Sequence, residues 1–323
     1  MRKRTAYTLL AVLAFVCALA VAIYLRQVAP PEAARLLPES DAIVFVNLKP
    51  LRAATHFEQR PFSPNSFKEF IDATGILPER DIDEVAFALH QMRDPKGANG
   101  PVGFTEVFEG RFDGERLTKY FETHAIARES YAGRTIYSMP SEERTVRVAL
   151  LGYDMVTASN MPTTEQIHSV LDRQRAAASP FAGSSLLGAL YSDVPAFSSA
   201  WAVGRIGLPF GNEGKITVMG LELPLPSDST FVASLRYTTA LHLRIDEFTA
   251  SDDDAERSSR ALNGLLAMAR TMAQGQAAQG QSAQESIAIK EIGDSIQIDR
   301  KKDRVELTAT VPNDAWKSLG AEK

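Results

Sequence analysis

The 323-residue chain carries 35 Lys+Arg against 40 Asp+Glu, a formal charge of −5, which excludes a dedicated nucleic-acid binder. At 45% hydrophobic and 23% charged residues the composition is that of an ordinary globular protein, so disorder, collagen and coiled coil are excluded as its main state. The one cysteine, Cys17, rules out a disulfide within the chain.

Residues Thr5 to Leu25 contain no charge. At about 1.5 Å per residue a helix of that length spans roughly 30 Å, the thickness of a bilayer's hydrocarbon core. Arg2, Lys3 and Arg4 precede the run and only Arg26 closes it, so the positive-inside bias places the N-terminus in the cytoplasm and the body outside. Residues 1–28 are therefore expected to be a signal anchor, a single transmembrane helix in a bacterial inner membrane, with a periplasm-facing body. A cleaved signal peptide is the alternative, because Ala18-Leu19-Ala20 and Ala20-Val21-Ala22 fit a small-x-small site. Cys17 follows Phe15 and Val16, which does not suit lipidation, and reads as a small apolar residue facing lipid.

Residues 29–40 hold Pro30, Pro31 and Pro38 and predict a short extended linker. A first α+β unit is expected over residues 41–178. It opens with a buried strand at Ala42 to Leu48, then a helix with Phe67, Phe70, Ile71 and Thr74 on one stripe, stopped by Gly75. Strands follow at Val85 to His90 and Val102 to Phe112, and then a helix capped by Asp113 with Leu117, Tyr120, Phe121 and His124 in line. A meander at Arg134 to Met139, Thr145 to Leu151 and Met155 to Ser159 precedes a helix for which Asn160 and Pro162 serve as start signals.

The second unit, residues 186–323, is expected to begin with a strand at Ser199 to Ile206 and a loop at Gly207 to Ser227. Alternating strands then carry Phe231, Ala233, Leu235 and Tyr237, and Leu241, Leu243 and Ile245. Ser251 opens a long helix, with Asp254 completing a capping box and Leu262, Leu265, Leu266, Ala269 and Met272 on its stripe. Gln274 to Gln284 reads as a loop. A hairpin of Ser295 to Asp299 with Arg304 to Val311 and a short helix at Asn313 to Leu319 end the chain. The fold class is α+β, a transmembrane helix followed by two mainly antiparallel-sheet units in degenerate tandem repeat.

No cofactor or metal motif survives inspection. Gly207 to Thr217 contains Gly214-Lys215, but Pro209 stands where a phosphate loop has glycine and Ile216 where it has a hydroxyl, so nucleotide binding is not expected. Asp81-Ile82-Asp83-Glu84 and Asp252-Asp253-Asp254 lack the rest of a calcium loop and read as a solvated turn and a helix cap. His56, His90, His124, His168 and His242 show no zinc spacing. Gly183-Ser184-Ser185-Leu186-Leu187 lacks the second glycine of a nucleophile elbow. The local anomaly is Glu106, which shares the apolar face of its strand with Phe104 and Phe108. A carboxylate there is costly unless paired, and His124 on the next helix is the candidate partner, giving a general acid/base pair. A sheet-end carboxylate reaching solvent, or a structural ion pair, is the alternative.

The stretch Leu36-Leu37-Pro38-Glu39-Ser40-Asp41-Ala42, the passage Thr74-Gly75-Ile76 to Asp81-Ile82-Asp83 and the closing hairpin resemble a poorly characterised group of bacterial single-pass, membrane-anchored envelope proteins with repeated α+β units. That resemblance implies an extracytoplasmic location and supplies no reaction or catalytic residues. Three functions are open at this point. The first is a non-enzymatic protein that binds an envelope protein partner or supports assembly, motivated by the anchor and by outward polar residues such as His242, Arg244 and Asp246. The second is a carrier or sensor of an apolar envelope ligand lined by Phe104, Phe108 and Phe112. The third is a carboxylate-dependent envelope hydrolase using Glu106.

Overall fold

The computed structural model describes residues 12, 15, 16, 19, 29–59, 68–94, 100–141, 144–176, 183–205, 216–218, 221–223, 225–226, 228–277 and 290–312. The first half runs through helix α1 (Glu32–Arg35), strand β1 (Ala42–Asn47), helices α2 (Leu48–Thr55), α3 (Lys68–Thr74) and α4 (Pro78–Asp81), strands β2 (Ile82–Gln91) and β3 (Val102–Gly110), and helix α5 (Gly114–His124). A meander of β4 (Ala127–Tyr131), β5 (Arg134–Ser141), β6 (Arg144–Leu150) and β7 (Met155–Ser159) follows, then helices α6 (Glu165–Arg175) and α7 (Ser185–Leu190). The second half comprises β8 (Ala200–Arg205), a small hairpin β9 (Ile216–Val218) and β10 (Leu221–Leu223), strands β11 (Thr230–Tyr237) and β12 (Ala240–Phe248), the long helix α8 (Asp252–Ala277), and the hairpin β13 (Gln297–Lys301) and β14 (Arg304–Pro312).

Twelve strands form one sheet, ordered β13-β14-β12-β11-β8-β1-β2-β3-β7-β6-β5-β4, with β9 and β10 apart from it. Every pairing in it is antiparallel. The two halves follow one path: three successive antiparallel strands, a helix, and a return that lays β7 on β3 and β14 on β12. They share a single sheet because β1 pairs with β8, Ile43 opposite Val203 and Phe45 opposite Trp201. Both edges carry charge, Arg128 and Glu129 on β4 and Asp299, Arg300 and Lys301 on β13, which opposes edge-to-edge association.

One face of the sheet is sealed. Ile43, Phe45, Ala86, Ala88, Val107, Val203 and Val232 are buried against Ala33, Leu36 and Leu37, against Ile167, Val170 and Leu171 of α6, and against Leu187 of α7. Residues 29–40, expected as an extended linker, thus hold α1 and part of the main core. Pro31 directly precedes that helix, a position where a ring with fixed φ costs nothing, and Ala33 and Ala34 are small enough for close approach to the sheet.

On the opposite face the layers are confined to the sides. Ile76, Leu117 and Phe121 cover Tyr137, Val148, Val156 and Ala158, while α8 packs on β13 and β14. The central residues of that face, including Val44, Phe87, Phe104, Phe108, Ala202 and Phe231, are only half-buried. The α8 stripe follows suit: Leu262, Leu265 and Leu266 are half-buried and Met272 is exposed.

Gly75 stops α3 at φ +73°, and Gly110 is required because a Cβ there would meet the Asp81 carbonyl oxygen at 2.1 Å. Asn160 does not cap α6. Its Oδ1 instead accepts from the Phe104 amide at 2.7 Å, and α6 begins at Glu165 after Thr164, which makes no side-chain cap bond. Strand β4 had no sequence expectation, and α8 extends to Ala277, into the Gln274 to Gln284 stretch expected as loop. Among the described residues no helix is long and apolar enough to cross a membrane. The expected transmembrane segment lies outside the described residues except for Val12, Phe15, Val16 and Leu19, which are helical and each more than half exposed. The short helix expected at Asn313 to Leu319 also lies outside them.

Candidate functional site

The alternation of β3 puts Thr105 and Val107 into the sealed core and turns Phe104, Glu106 and Phe108 to the half-open face. Glu106 stands opposite Phe87 on β2 and Ala158 on β7, so its nearest positions on both neighbouring strands are apolar. Burial alone pushes its carboxyl from an ordinary 4.5 up to about 7, since desolvation disfavours the charged form. Among the described residues its carboxylate has no hydrogen-bond or ion-pair partner.

His124 is not that partner. Its Nδ1 contacts the Tyr120 carbonyl at 2.8 Å and its Nε2 reaches Glu69 at 3.1 Å, while its ring stacks on Tyr120 at 4.2 Å. The Tyr120 carbonyl and the Glu69 carboxylate raise its pKa. Both ring nitrogens are thereby engaged, Nδ1 within α5 and Nε2 tying α5 to α3, and the structure does not bring Glu106 and His124 together. Of the expected apolar lining, Phe104 and Phe108 flank Glu106, whereas Phe112 packs against the cluster around Leu117 and Phe121.

The other histidines are dispersed. His168 Nε2 lies 2.8 Å from Glu129 and its ring stacks on Tyr131 at 3.7 Å; His242 meets Thr310 at 3.3 Å; His56 lies 3.5 Å from Glu58. His90 is buried, which lowers its pKa. Among the described residues no group of three His, Cys, Asp or Glu is arranged to hold a metal. The Gly207 to Thr217 stretch lies outside the described residues except Ile216 and Thr217 in β9.

Two polar constellations were not anticipated. At one end of the sheet Asp83, Glu84, Glu109 and Asp154 gather near Lys49. Burial and mutual repulsion raise Glu84 and Glu109 there, with Lys49 opposing, and Arg52 holds Asp83 at 2.8 Å. Asp81, expected in a solvated turn, is buried. It accepts from the Leu77 amide at 2.9 Å and pairs with Arg80 at 2.6 Å. On the second half of the sealed-core face, Asp246 has a fully buried side chain gripped by Arg244 and Arg304, each at 2.8 Å, while Arg244 and Lys301 reach Glu306. Arg244 and Asp246 are two apart on one strand, but their contacts with Arg304 and Glu306 join strands through register, Arg244 opposite Thr308 and Asp246 opposite Glu306, and are not legible in the sequence.

No protein-family model matches the chain. No curated protein matches it either. Among solved structures its fold resembles TP0453. Crystal form III aligns over 90% of this chain and 98% of that one at 11% identity and a TM-score of 0.47. Form I aligns over 91% and 98% at 10% identity and a TM-score of 0.45. Form IV aligns over 91% and 97% at 11% identity and a TM-score of 0.48.

Proposed function

We propose that this protein is a non-enzymatic envelope protein, held outside the cytoplasm by its N-terminal segment, that binds an apolar ligand on the half-open face of its sheet. The observation that carries the reading is the asymmetry of burial. Residues such as Ile43, Ala88 and Val107 are sealed on one face, while Val44, Phe87, Phe104 and Phe108 are only partly buried on the other. Apolar surface left in water at about 25 cal/mol per Å² favours an apolar occupant. The flanking layers, Leu117 and Phe121 on one side and α8 on the other, give this floor two walls.

The partner-binding alternative loses its residue-level motive. Arg244 and Asp246 are already matched with Arg304 and Glu306, so they hold little charge in reserve for another protein. The Glu106–His124 acid/base pair loses its second group, because His124 is committed to Glu69 and Tyr120. The test is mass spectrometry of lipophilic extracts from the full chain purified in mild detergent. A ligand enriched over an unrelated anchored protein, and lost when Phe87 and Phe108 are both changed to Ser, is the expected result. Equal extracts from the two proteins would remove the proposal.

A further inference from the structure

We infer that Glu106 is the head site for an amphiphile that ends in an ammonium group, its apolar chain lying along the half-open sheet face. This rests on the reading above that the face holds an apolar ligand, and it names the ligand's chemistry.

The argument is charge complementarity within an apolar setting. Glu106 lies mid-sheet, between Phe87 and Ala158 across the strands and Phe104 and Phe108 along its own. Its strand alternation places it on the face that retains exposure, so an incoming group can reach it. Among the described residues no cation, donor or second carboxylate meets it, in contrast to Asp246, which two arginines grip. Its carboxyl is raised by desolvation alone, the signature of a charge lacking a counterpart. An ammonium supplies that counterpart through charge-assisted hydrogen bonds, and the neighbouring phenylalanine rings add favourable faces for a cation. A fatty carboxylate would bring like charge to the carboxylate, a plain hydrocarbon would leave the carboxyl unpaired, and a protein segment would bring backbone amides to a stretch of sheet where Glu106 stands among Phe87, Phe104, Phe108 and Ala158.

The experiment uses the full chain in phosphatidylcholine nanodiscs at about pH 8, well above the ordinary carboxyl range. Photoreactive analogues of dodecylamine, dodecanol and dodecanoate are crosslinked in parallel and the labelled peptides mapped. The expected result is labelling of β2 and β3 peptides by the amine about tenfold above the alcohol, the scale of a charge-assisted hydrogen bond. Glu106→Gln should reduce the amine to the level of the alcohol while the alcohol is unchanged. Glu106→Asp, which keeps the charge, should retain a preference for the amine. Equal labelling by amine and alcohol, a preference for the carboxylate, persistence of the amine preference in Glu106→Gln, or its loss in Glu106→Asp would each overturn the inference while leaving the apolar site in place. Labelling of this face by none of the three would overturn both.

Discussion

Glu106 and Asp246 show what a buried carboxylate does with and without partners. Asp246 is held by Arg244 and Arg304, so its charge is compensated where it stands. Glu106 has only desolvation, and its carboxyl rises from 4.5 to about 7. A carboxyl that binds its proton more tightly in the folded protein than in the unfolded chain adds stability in full below about pH 4.5. That stability is lost as the pH climbs through about 7. The shift corresponds to about 3 kcal/mol at most. Glu106→Gln has no such proton to lose, so the difference in urea midpoint between variant and parent should grow in the variant's favour between about pH 4.5 and 7 and then level off. A difference that stays flat across this window would show that the carboxyl is solvated. The period-2 pattern of Phe104, Glu106 and Phe108 made this residue legible in the sequence. His124 was half legible: its place on the α5 stripe was right, but its partner Glu69 comes from 55 residues upstream and is found only once α3 and α5 pack.

At the scale of elements, the helix starts test how far a local signal can be trusted. Asp113 accepts from the Glu115 and Arg116 amides at 3.2 and 3.1 Å, whereas Thr164 at the start of α6 makes no side-chain cap bond. Asp113→Ala should therefore cost about 1 kcal/mol, and Thr164→Ala should stay within about 0.5 kcal/mol, both read from chemical denaturation. Equal costs would mean that Asp113 stabilises through something other than the amides it caps. Strands with alternating or β-branched runs were legible for the same local reason, as with β5, β6, β7, β11 and β12. Strand β4 was not, because Arg128, Glu129 and Ser130 lie at an exposed edge where no apolar pattern is needed. The start of α6 is not legible at Asn160, which has the right side chain for a cap but spends it on β3. The stripe of α8 is only partly covered, since periodicity reports which face is apolar and not how completely a neighbouring layer covers it.

At the scale of the molecule, the sequence suggested two units, and their strands follow the same path, yet they meet in one ladder. Five residue pairs join β1 to β8, and at that seam Phe45 stacks on Trp201 at 5.3 Å while Tyr191 meets the same indole edge-on. The core beneath the seam is common property: Leu36 and Leu37 precede β1, Leu187 precedes β8, and all three belong to one buried cluster with Val203 and Val232. Separate units linked only by chain would unfold separately, whereas a shared ladder and a shared core couple them. Phe45→Ala removes a buried ring from the seam and should cost about 3–5 kcal/mol. Because the loss falls on structure that both halves use, native-state hydrogen exchange should show protection falling by the same amount for amides of β2 and β3 on one side and of β11 and β12 on the other. Should β11 and β12 keep their full protection while β2 and β3 lose theirs, the halves are independent domains laid edge to edge, and the seam is a docking contact in place of a common core.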